Sequence, residues 1–371
     1  MAGCNDTLSA NGAGYQTSGI TADNLPVFAD ALKQRLTFPM GWSAHVTDLP
    51  EWKKKARAKL WELTLQNPDQ TDFNAEIIDE VDRGTYVAKK IAFNLTRDSR
   101  VLALLLVPKG DGPFPAAVVY HDHGSTFDIG KEKLIETWGN DARSQSSQAW
   151  AERFFSGRFV GDELARRGYV VLAADALGWG DRGPLIYDGQ QALAANVANL
   201  GLSLAGLMAL EDTRAAGFLA SIRRVDTSRI ASVGFSMGAF RAWQAAALTD
   251  TIKATIAVNW MGTAGGLMVP GNNQLRGGSA WHMTHPGLMQ HLDYPDVASL
   301  SAPNPMLMFA GEEDRLFPVP SVNDAFDKMK NVWAAWNAAD RFESKFWPCG
   351  HVFETEQQDY AFGWLDGRFG R

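Results

Sequence analysis

The spacing of apolar residues changes along the chain, and each change marks a different kind of secondary structure. From Asn24 to Gln66 apolar residues recur at helical spacing, with Asp48 as a candidate N-cap and Pro50 in the first turn. From residue 75 to 108 the spacing becomes that of strands, separated by short turn sequences such as Asp-Arg-Gly. Connections this short predict that a β-sheet begins with antiparallel strands.

After residue 108, strand-like and helix-like segments alternate. Residues 114–120, FPAAVVY, form a continuous apolar run, which is typical of a strand buried on both faces of a sheet. Residues 150–168, from WAERFF to ELARRG, predict a helix that leads into another strand. This alternation continues to FESKFWP near the C-terminus. We therefore predict an α/β chain with a mostly parallel central sheet, antiparallel N-terminal strands and helices on both faces.

The same pattern divides the chain into parts. Residues 1–20 are rich in Gly, Ser, Ala and Asn, and we predict a flexible tether there. Residues 21–74 are predicted to be a helical N-terminal extension, and residues 75–371 the α/β domain. Within that domain, residues 262–300 show no clear period and are rich in Gly, Asn, His and Met. A loop this long is often functional, so we expect a cap over the edge where the parallel strands end.

Composition narrows the range of partners. The formal net charge is −7, from 35 Lys and Arg against 42 Asp and Glu, and no sizeable basic patch is present. This excludes the usual electrostatic footprint of a nucleic-acid-binding protein. The longest apolar stretch, near residues 200–210, is broken by Ser203 and Gly206 and is too short to span a bilayer.

The two cysteines do not form a disulfide framework or a metal knuckle. Cys349 is expected to be an inert packed thiol. Cys4 follows Met-Ala-Gly and precedes a small, polar tail, as at the end of a bacterial lipoprotein signal, although the apolar region that normally comes first is absent. Two localisations stay open. The protein is periplasmic or membrane-anchored if Cys4 is lipidated, and otherwise cytoplasmic.

A candidate nucleophile lies where the strand RIASVGF ends and a helix begins. The sequence there is Gly234-Phe235-Ser236-Met237-Gly238, the G-x-S-x-G pattern of a strand–turn–helix nucleophile elbow. In so tight a turn, side chains at the two glycine positions would collide with neighbouring backbone. Glycine at both positions therefore leaves the Ser236 hydroxyl raised at the apex.

Two further strand ends supply partners for this serine. Asp314 follows the strand PMLMFAG, and we prefer it to its neighbours Glu312 and Glu313 as the carboxylate that orients a histidine. His351 lies on the loop after the last predicted strand, in a place suited to a general base. The chain order Ser236, Asp314, His351 is that of the α/β-hydrolases.

A tetrahedral intermediate also needs backbone N–H donors for its oxyanion. We expect one from Met237, directly after the serine, and the other from His123 or Gly124, in the loop after the strand that ends at Tyr120. The same HDH stretch supports a rival interpretation, because His-x-His at a strand end also begins metal sites. A metal site would need further ligands at later strand ends, but His45, His282, His285 and His291 lie in the helical N-terminal region or the predicted cap. We therefore predict no metal and no cofactor.

The wider sequence resembles a known family. HDHGSTFDIGKEKL, VDTSRIASVGFSMGAFRAW, AVNWMGT and the region that leads to GEEDRLFP are similar to bacterial acetyl-xylan-esterase-like hydrolases related to dienelactone hydrolase. The resemblance runs from about residue 75 to the C-terminus. It implies an α/β-hydrolase fold and a carboxylic-ester hydrolase, often acting on acetylated sugars. True dienelactone hydrolases use cysteine as the nucleophile, so Ser236 indicates ordinary ester hydrolysis.

The leading interpretation is a serine carboxylesterase that acts on a small-molecule, short-acyl ester such as an acetylated saccharide. A serine peptidase of the prolyl-oligopeptidase type shares the triad order, but the stretch before residue 75 is too short and too helical for a propeller. A non-enzymatic binding module with a hydrolase fold is the third alternative. Trp179, Trp260 and Trp281 are candidates for stacking on a sugar ring, or else for packing under the cap.

Overall fold

The computed structural model describes residues 21–22, 25–139, 142–269, 272 and 280–371. The predicted tether, Cys4 and part of the predicted cap therefore lie outside the described residues. The strands are β1 (Thr21–Ala22), β2 (Leu25–Pro26), β3 (Glu76–Asp82), β4 (Tyr86–Thr96), β5 (Ser99–Pro108), β6 (Phe114–Tyr120), β7 (Val170–Ala174), β8 (Val225–Phe235), β9 (Ala254–Val258), β10 (Met306–Gly311) and β11 (Phe342–Trp347). The helices are α1 (Ala29–Lys33), α2 (Leu49–Leu63), α3 (Ser144–Phe154), α4 (Val160–Arg166), α5 (Tyr187–Asn199), α6 (Leu204–Ser221), α7 (Met237–Leu248), α8 (Ala264–Leu267), α9 (Tyr294–Ser299), α10 (Val319–Ala335) and α11 (Thr355–Arg368).

One nine-stranded sheet organises the molecule, with the strand order β11-β10-β9-β8-β6-β7-β5-β4-β3. From β11 across to β7, every neighbouring pair of strands is parallel. The pairs β7–β5, β5–β4 and β4–β3 are antiparallel. The predicted mostly parallel sheet with antiparallel N-terminal strands is therefore confirmed. Because β6, β8, β9, β10 and β11 run in one direction, their carboxyl ends meet at a single edge.

The two faces of the sheet are covered by different helices, as predicted. In β6, Ala117 and Val119 pack in a cluster with residues of α3, α4 and α11. The alternate residues Val118 and Tyr120 pack on the opposite face, with residues of α6 and α7. This alternation is the period of two expected of a strand, and apolar residues at both sets of positions explain the continuous run in the sequence.

The N-terminal region is less helical than its pattern predicts. Only α1 and α2 form between residues 24 and 66, and β1 and β2 pair with each other. The start of α2 follows the prediction, since the Asp48 carboxylate accepts the Glu51 backbone N–H at 2.9 Å. Ala56 and Leu60 of α2 are fully buried in the same apolar cluster as residues of α7. The boundary at residue 75 stays a prediction.

Two helices replace the single one predicted over residues 150–168. The chain leaves α3 through Ser156 and Gly157, both with positive φ, before α4 begins. A helix cannot continue through left-handed residues, which explains the break. The helices α5 and α11 were not predicted. Among the described residues, no single helix has the length and apolar character to cross a membrane, whereas α5 and α6, bent by 88°, satisfy length and composition together.

Candidate active site

Ser236 lies at the turn between β8 and α7, at the edge where the parallel strands end. Its φ of 55° and ψ of −127° are strained for a residue with a side chain. A Cβ on Gly234 would lie 2.0 Å from the Gly238 carbonyl oxygen, and one on Gly238 would lie 2.0 Å from the Tyr120 carbonyl oxygen. Glycine at these two positions therefore allows the turn to form directly against the end of β6.

This close approach gives a stability prediction. Gly238→Ala is expected to lower the free energy of unfolding by about 3 kcal/mol, because the new methyl group overlaps rigid backbone. Gly363→Ala in α11 is the matched control, since nothing lies within 4 Å of its added Cβ. The control should raise stability by up to about 1 kcal/mol through helix propensity. Urea denaturation of both variants measures the difference, and equal stability would contradict the overlap.

His351 and Asp314 are paired beside this turn. The His351 Nδ1–H donates to Asp314 Oδ2 at 2.6 Å, and Asp314 Oδ1 accepts the Leu316 backbone N–H at 2.9 Å. The Asp314 carboxylate is buried, while the His351 ring keeps about a fifth of its surface exposed. The ring also packs against the aromatic rings of Phe235 and Phe317. The pair thus fixes the imidazole and leaves Nε2 as its proton acceptor.

The loop that carries His351 is held by a residue that the sequence interpretation did not identify. Asn259, directly after β9, donates through its side-chain amide to the Val352 carbonyl at 3.0 Å and to the Gly350 carbonyl at 3.4 Å. Its backbone has a φ of 57°. Asn tolerates this left-handed conformation better than most residues. The only sequence signal is an Asn at a strand end, within the quoted AVNWMGT segment.

The candidate oxyanion donors lie on two sides of Ser236. Met237 is the first residue of α7, so its N–H has no partner within the helix. His123 and Gly124 follow the end of β6 and line the same cavity as Ser236. Burial lowers the pKa of His123 to about 4, so its ring is neutral at neutral pH. His123 and Gly124 thus share a cavity with Ser236, and Met237 directly follows the serine, while their role as oxyanion donors stays a prediction.

Ser236 and His351 open into one cavity of about 220 Å³. Within the described part of the chain, the Ser236 hydroxyl has no hydrogen-bond partner, so it is accessible from this cavity. The wall is mixed, with polar and apolar surface in similar amounts. Its lining residues also include Asp122, Ser125, Trp150, Phe154, Tyr187, Phe235, Trp260, Met283, Leu316 and Phe317.

The three candidate tryptophans occupy different environments. Trp260 lines the cavity, and its contact with a substrate stays a prediction. Trp179 is fully buried away from the cavity wall, where its indole N–H donates to the His123 carbonyl oxygen at 2.9 Å. Trp281 is 47% exposed and is not in the wall either. Packing inside the protein is therefore the better description of Trp179. Tyr187, at the start of α5, is an aromatic wall residue that the prediction missed, because α5 itself was not predicted.

The His-x-His stretch is engaged in protein hydrogen bonds. His121 Nε2 accepts the Ala176 N–H at 2.9 Å, and its Nδ1–H donates to the Asp122 carbonyl at 2.8 Å. Both ring nitrogens of His123 also lie within 2.9 Å of protein oxygens. Among the described residues, the acidic cluster of Glu132, Asp175 and Asp181 surrounds the Lys131 ammonium, which contacts all three carboxylates. A side-chain cation thus fills that cluster.

The chain matches known proteins by sequence. Residues 156–362 match the model of the dienelactone hydrolase family. YtaP of Bacillus subtilis (strain 168), which is described only provisionally as a hydrolase, is 30% identical to this chain over 304 residues. That alignment covers 82% of this chain and 95% of YtaP. The match therefore extends over nearly the whole relative, and the family region, residues 156–362, includes both Ser236 and His351.

The fold also matches solved structures. A protein of Bacteroides fragilis NCTC 9343, provisionally described as an acetyl xylan esterase, superimposes with a TM-score of 0.69 at 16% identity. The alignment covers 86% of this chain and 82% of that one. A glucuronoyl esterase from Solibacter usitatus gives a TM-score of 0.62 at 13% identity, over 90% and 97% of the two chains. At these identities the likeness shows a shared fold.

Proposed function

Because this chain belongs to the dienelactone hydrolase family, we propose that it is a serine carboxylesterase with the triad Ser236, His351 and Asp314. The observation that carries the proposal is the 2.6 Å contact between His351 Nδ1 and Asp314 Oδ2 in a cavity that also exposes Ser236. A buried carboxylate that fixes one nitrogen of an imidazole prepares the other nitrogen to accept a proton.

The reaction proceeds through an acyl-enzyme. His351 Nε2 takes the proton from the Ser236 hydroxyl as its oxygen attacks the ester carbonyl, and then gives that proton to the leaving alcohol. Water, activated by the same nitrogen, releases the acid and restores the serine. The Met237 N–H and the backbone amides of His123 and Gly124 stabilise the oxyanion in both halves. Contacts between base and nucleophile are often long in a free enzyme and tighten when substrate binds.

A short acyl group suits the cavity. Its volume of about 220 Å³ is below the usual range for drug-sized ligands, and its wall combines aromatic and aliphatic side chains with polar ones such as Asp122 and Ser125. The methyl of an acetyl group would contact the apolar side chains of this wall, and its carbonyl oxygen would accept hydrogen bonds from the proposed oxyanion donors. The alcohol part of the substrate then extends outward, past the rim of the cavity.

We propose a saccharide as that alcohol. Tyr187 lines the cavity and keeps 48% of its surface exposed, so it offers an aromatic face at the rim. Rings of this kind pack against the apolar face of a sugar. The names of the structural relatives, acetyl xylan esterase and glucuronoyl esterase, favour the same class of substrate.

A series of p-nitrophenyl esters, from acetate to decanoate, tests the proposal with and without a serine-directed phosphonate. We expect hydrolysis of acetate that the phosphonate abolishes, with the adduct on the Ser236 peptide by mass spectrometry. Absence of both hydrolysis and labelling would contradict the esterase. Faster cleavage of aminoacyl amides than of esters would favour the peptidase alternative.

The acyl preference gives a second prediction at this site. Phe154→Ala removes a ring from the cavity wall and should raise the butyrate-to-acetate ratio of kcat/KM by about tenfold, the effect of one or two methylene groups in an apolar pocket. Phe114→Ala, at the opposite end of β6, is the matched control and should leave the ratio unchanged. An unchanged ratio in Phe154→Ala would place the acyl group elsewhere.

A further inference from the structure

A fully buried lysine lies behind the backbone segment that supplies the second oxyanion donor. The Lys133 ammonium contacts the Asp122 carbonyl oxygen at 3.3 Å and the His123 carbonyl oxygen at 3.0 Å. The Trp179 indole N–H donates to the same His123 carbonyl at 2.9 Å. Side chains from two other parts of the chain thus hold two consecutive carbonyl groups.

These anchors decide where the following amides point. In a trans peptide the carbonyl and the N–H of the next residue point in opposite directions. The N–H groups of His123 and Gly124 therefore point away from Lys133. His123 and Gly124 line the cavity, whereas Lys133 is not in its wall. Anchoring the carbonyls from behind consequently directs the amides toward the carbonyl group of a substrate.

Lys133 also compensates a charge in the cavity wall. The Asp122 carboxylate lines the cavity, with Oδ1 3.2 Å from the Lys133 ammonium and Oδ2 accepting the Trp150 indole N–H at 3.0 Å. Unpaired, this carboxylate would repel the negative charge that develops on the substrate oxygen, and burial strengthens that repulsion. The Lys133 ammonium therefore neutralises the Asp122 carboxylate, which would otherwise disfavour the negatively charged transition state.

Lys133 and the backbone at Gly124 both pack against the ring of Trp150. The Lys133 ammonium lies 4.3 Å from the centre of the Trp150 ring. Gly124 has a φ of 51°, and a Cβ there would lie 2.2 Å from the Trp150 ring. Because the glycine lets the backbone lie directly against this ring, the oxyanion segment has little freedom to rotate.

We propose that Lys133 is a positioning residue of the oxyanion hole, which directs the His123 and Gly124 amides and neutralises Asp122 without touching the substrate. This inference rests on the proposed serine-esterase function. Stability alone does not require the pair, because apolar residues of similar size often replace buried ion pairs without loss. We therefore look for the role of Lys133 in catalysis rather than in stability.

Lys133→Met keeps the length of the side chain and removes its charge and donors. We expect kcat on p-nitrophenyl acetate to fall about 10²-fold, the usual effect of losing one oxyanion donor, with KM within threefold of wild type. Affinity for a short alkyl boronic acid, whose adduct with serine is tetrahedral and anionic, should fall in parallel. A purely structural role would not separate boronate affinity from KM in this way.

A second variant distinguishes the two effects of Lys133. Lys133→Met combined with Asp122→Asn removes both charges, so it should recover part of the lost kcat while the amides stay unanchored. Lys328→Met is the matched control, because Lys328 pairs at 2.7 Å with the buried Asp296, outside the cavity. The control should lower the melting temperature and leave both kcat and boronate affinity unchanged.

The outcomes separate this inference from the proposed function. If wild-type protein hydrolyses no ester and takes up no phosphonate, the esterase proposal fails and this inference fails with it. If wild type is active and Lys133→Met keeps its kcat and boronate affinity, only the positioning role is wrong. If Lys133→Met does not fold, the variant that combines Lys133→Met with Asp122→Asn is measured in its place. A boronate affinity equal to that of wild type in this double variant would overturn the positioning role of Lys133.

Discussion

Replacing Ser236 by alanine is expected to reduce ester hydrolysis at least about 10⁴-fold, to the level that binding and the oxyanion donors sustain alone. The serine oxygen is the only atom that the substitution removes, and no hydrogen bond within the described chain depends on it. The turn itself is set by Gly234 and Gly238 rather than by the hydroxyl. We therefore expect unchanged thermal unfolding together with the loss of turnover.

The measurement is kcat/KM on p-nitrophenyl acetate, with phosphonate labelling as a second readout. Ser125→Ala is the matched control, because Ser125 lines the same cavity but follows a different strand. That variant should still take up one phosphonate, whereas Ser236→Ala should take up none. Turnover by Ser236→Ala within tenfold of wild type would show that another group attacks the ester.

Local sequence signals were sufficient for the nucleophile turn. The glycine spacing around Ser236 is a requirement of backbone geometry, and the structure shows the overlaps that any side chain would create there. The partners Asp314 and His351 could be located because each follows an apolar strand, and parallel strands end at one edge. The order of strands along the chain thus carried three distant residues into one region.

The surroundings of the proposed triad could not be predicted in the same way. Lys133 and Trp150 contact the segment that contains His123 and Gly124 from a short 3-10 helix, Lys131–Lys133, and from α3. Both elements lie further along the connection after β6, not directly at a strand end. Tyr187 begins α5, whose sequence is mostly polar and alanine-rich and buries few side chains. The spacing of apolar residues identifies a helix that packs against a core. In α5 this spacing is too weak for the helix to be recognised from the sequence.

Misjudged elements have equally specific causes. The predicted single helix over residues 150–168 contains a turn at Ser156 and Gly157, and a serine gives little warning of a positive φ. For Trp179 the sequence left two interpretations open, stacking on a sugar ring or packing inside the protein. The structure directs its indole inward to the His123 carbonyl, which favours packing. The direction in which a large side chain points depends on tertiary packing. It cannot be inferred from the position of that residue in the sequence.

Substituting Asp314 by asparagine is expected to lower kcat by about 10⁴-fold with little change in folding. Asp314 Oδ2 accepts a hydrogen bond from the His351 Nδ1–H at 2.6 Å, which leaves Nε2 free to take the serine proton. An asparagine amide can present its NH₂ group to Nδ1 instead. The imidazole would then carry its proton on Nε2, where it blocks proton transfer, and the imidazolium would lose its counter-charge.

Glu312→Gln and Glu313→Gln are the matched controls, because these carboxylates adjoin Asp314 in sequence but are exposed. Both should retain kcat within a few fold, since water screens their charges from the cavity. The three variants are compared by kcat on p-nitrophenyl acetate and by thermal unfolding. A larger loss in Glu313→Gln than in Asp314→Asn would transfer the orienting role to Glu313. If kcat falls about 10⁴-fold only in Asp314→Asn, the buried Asp314 carboxylate is the group that catalysis requires. The neighbouring carboxylates carry the same charge but do not contact His351.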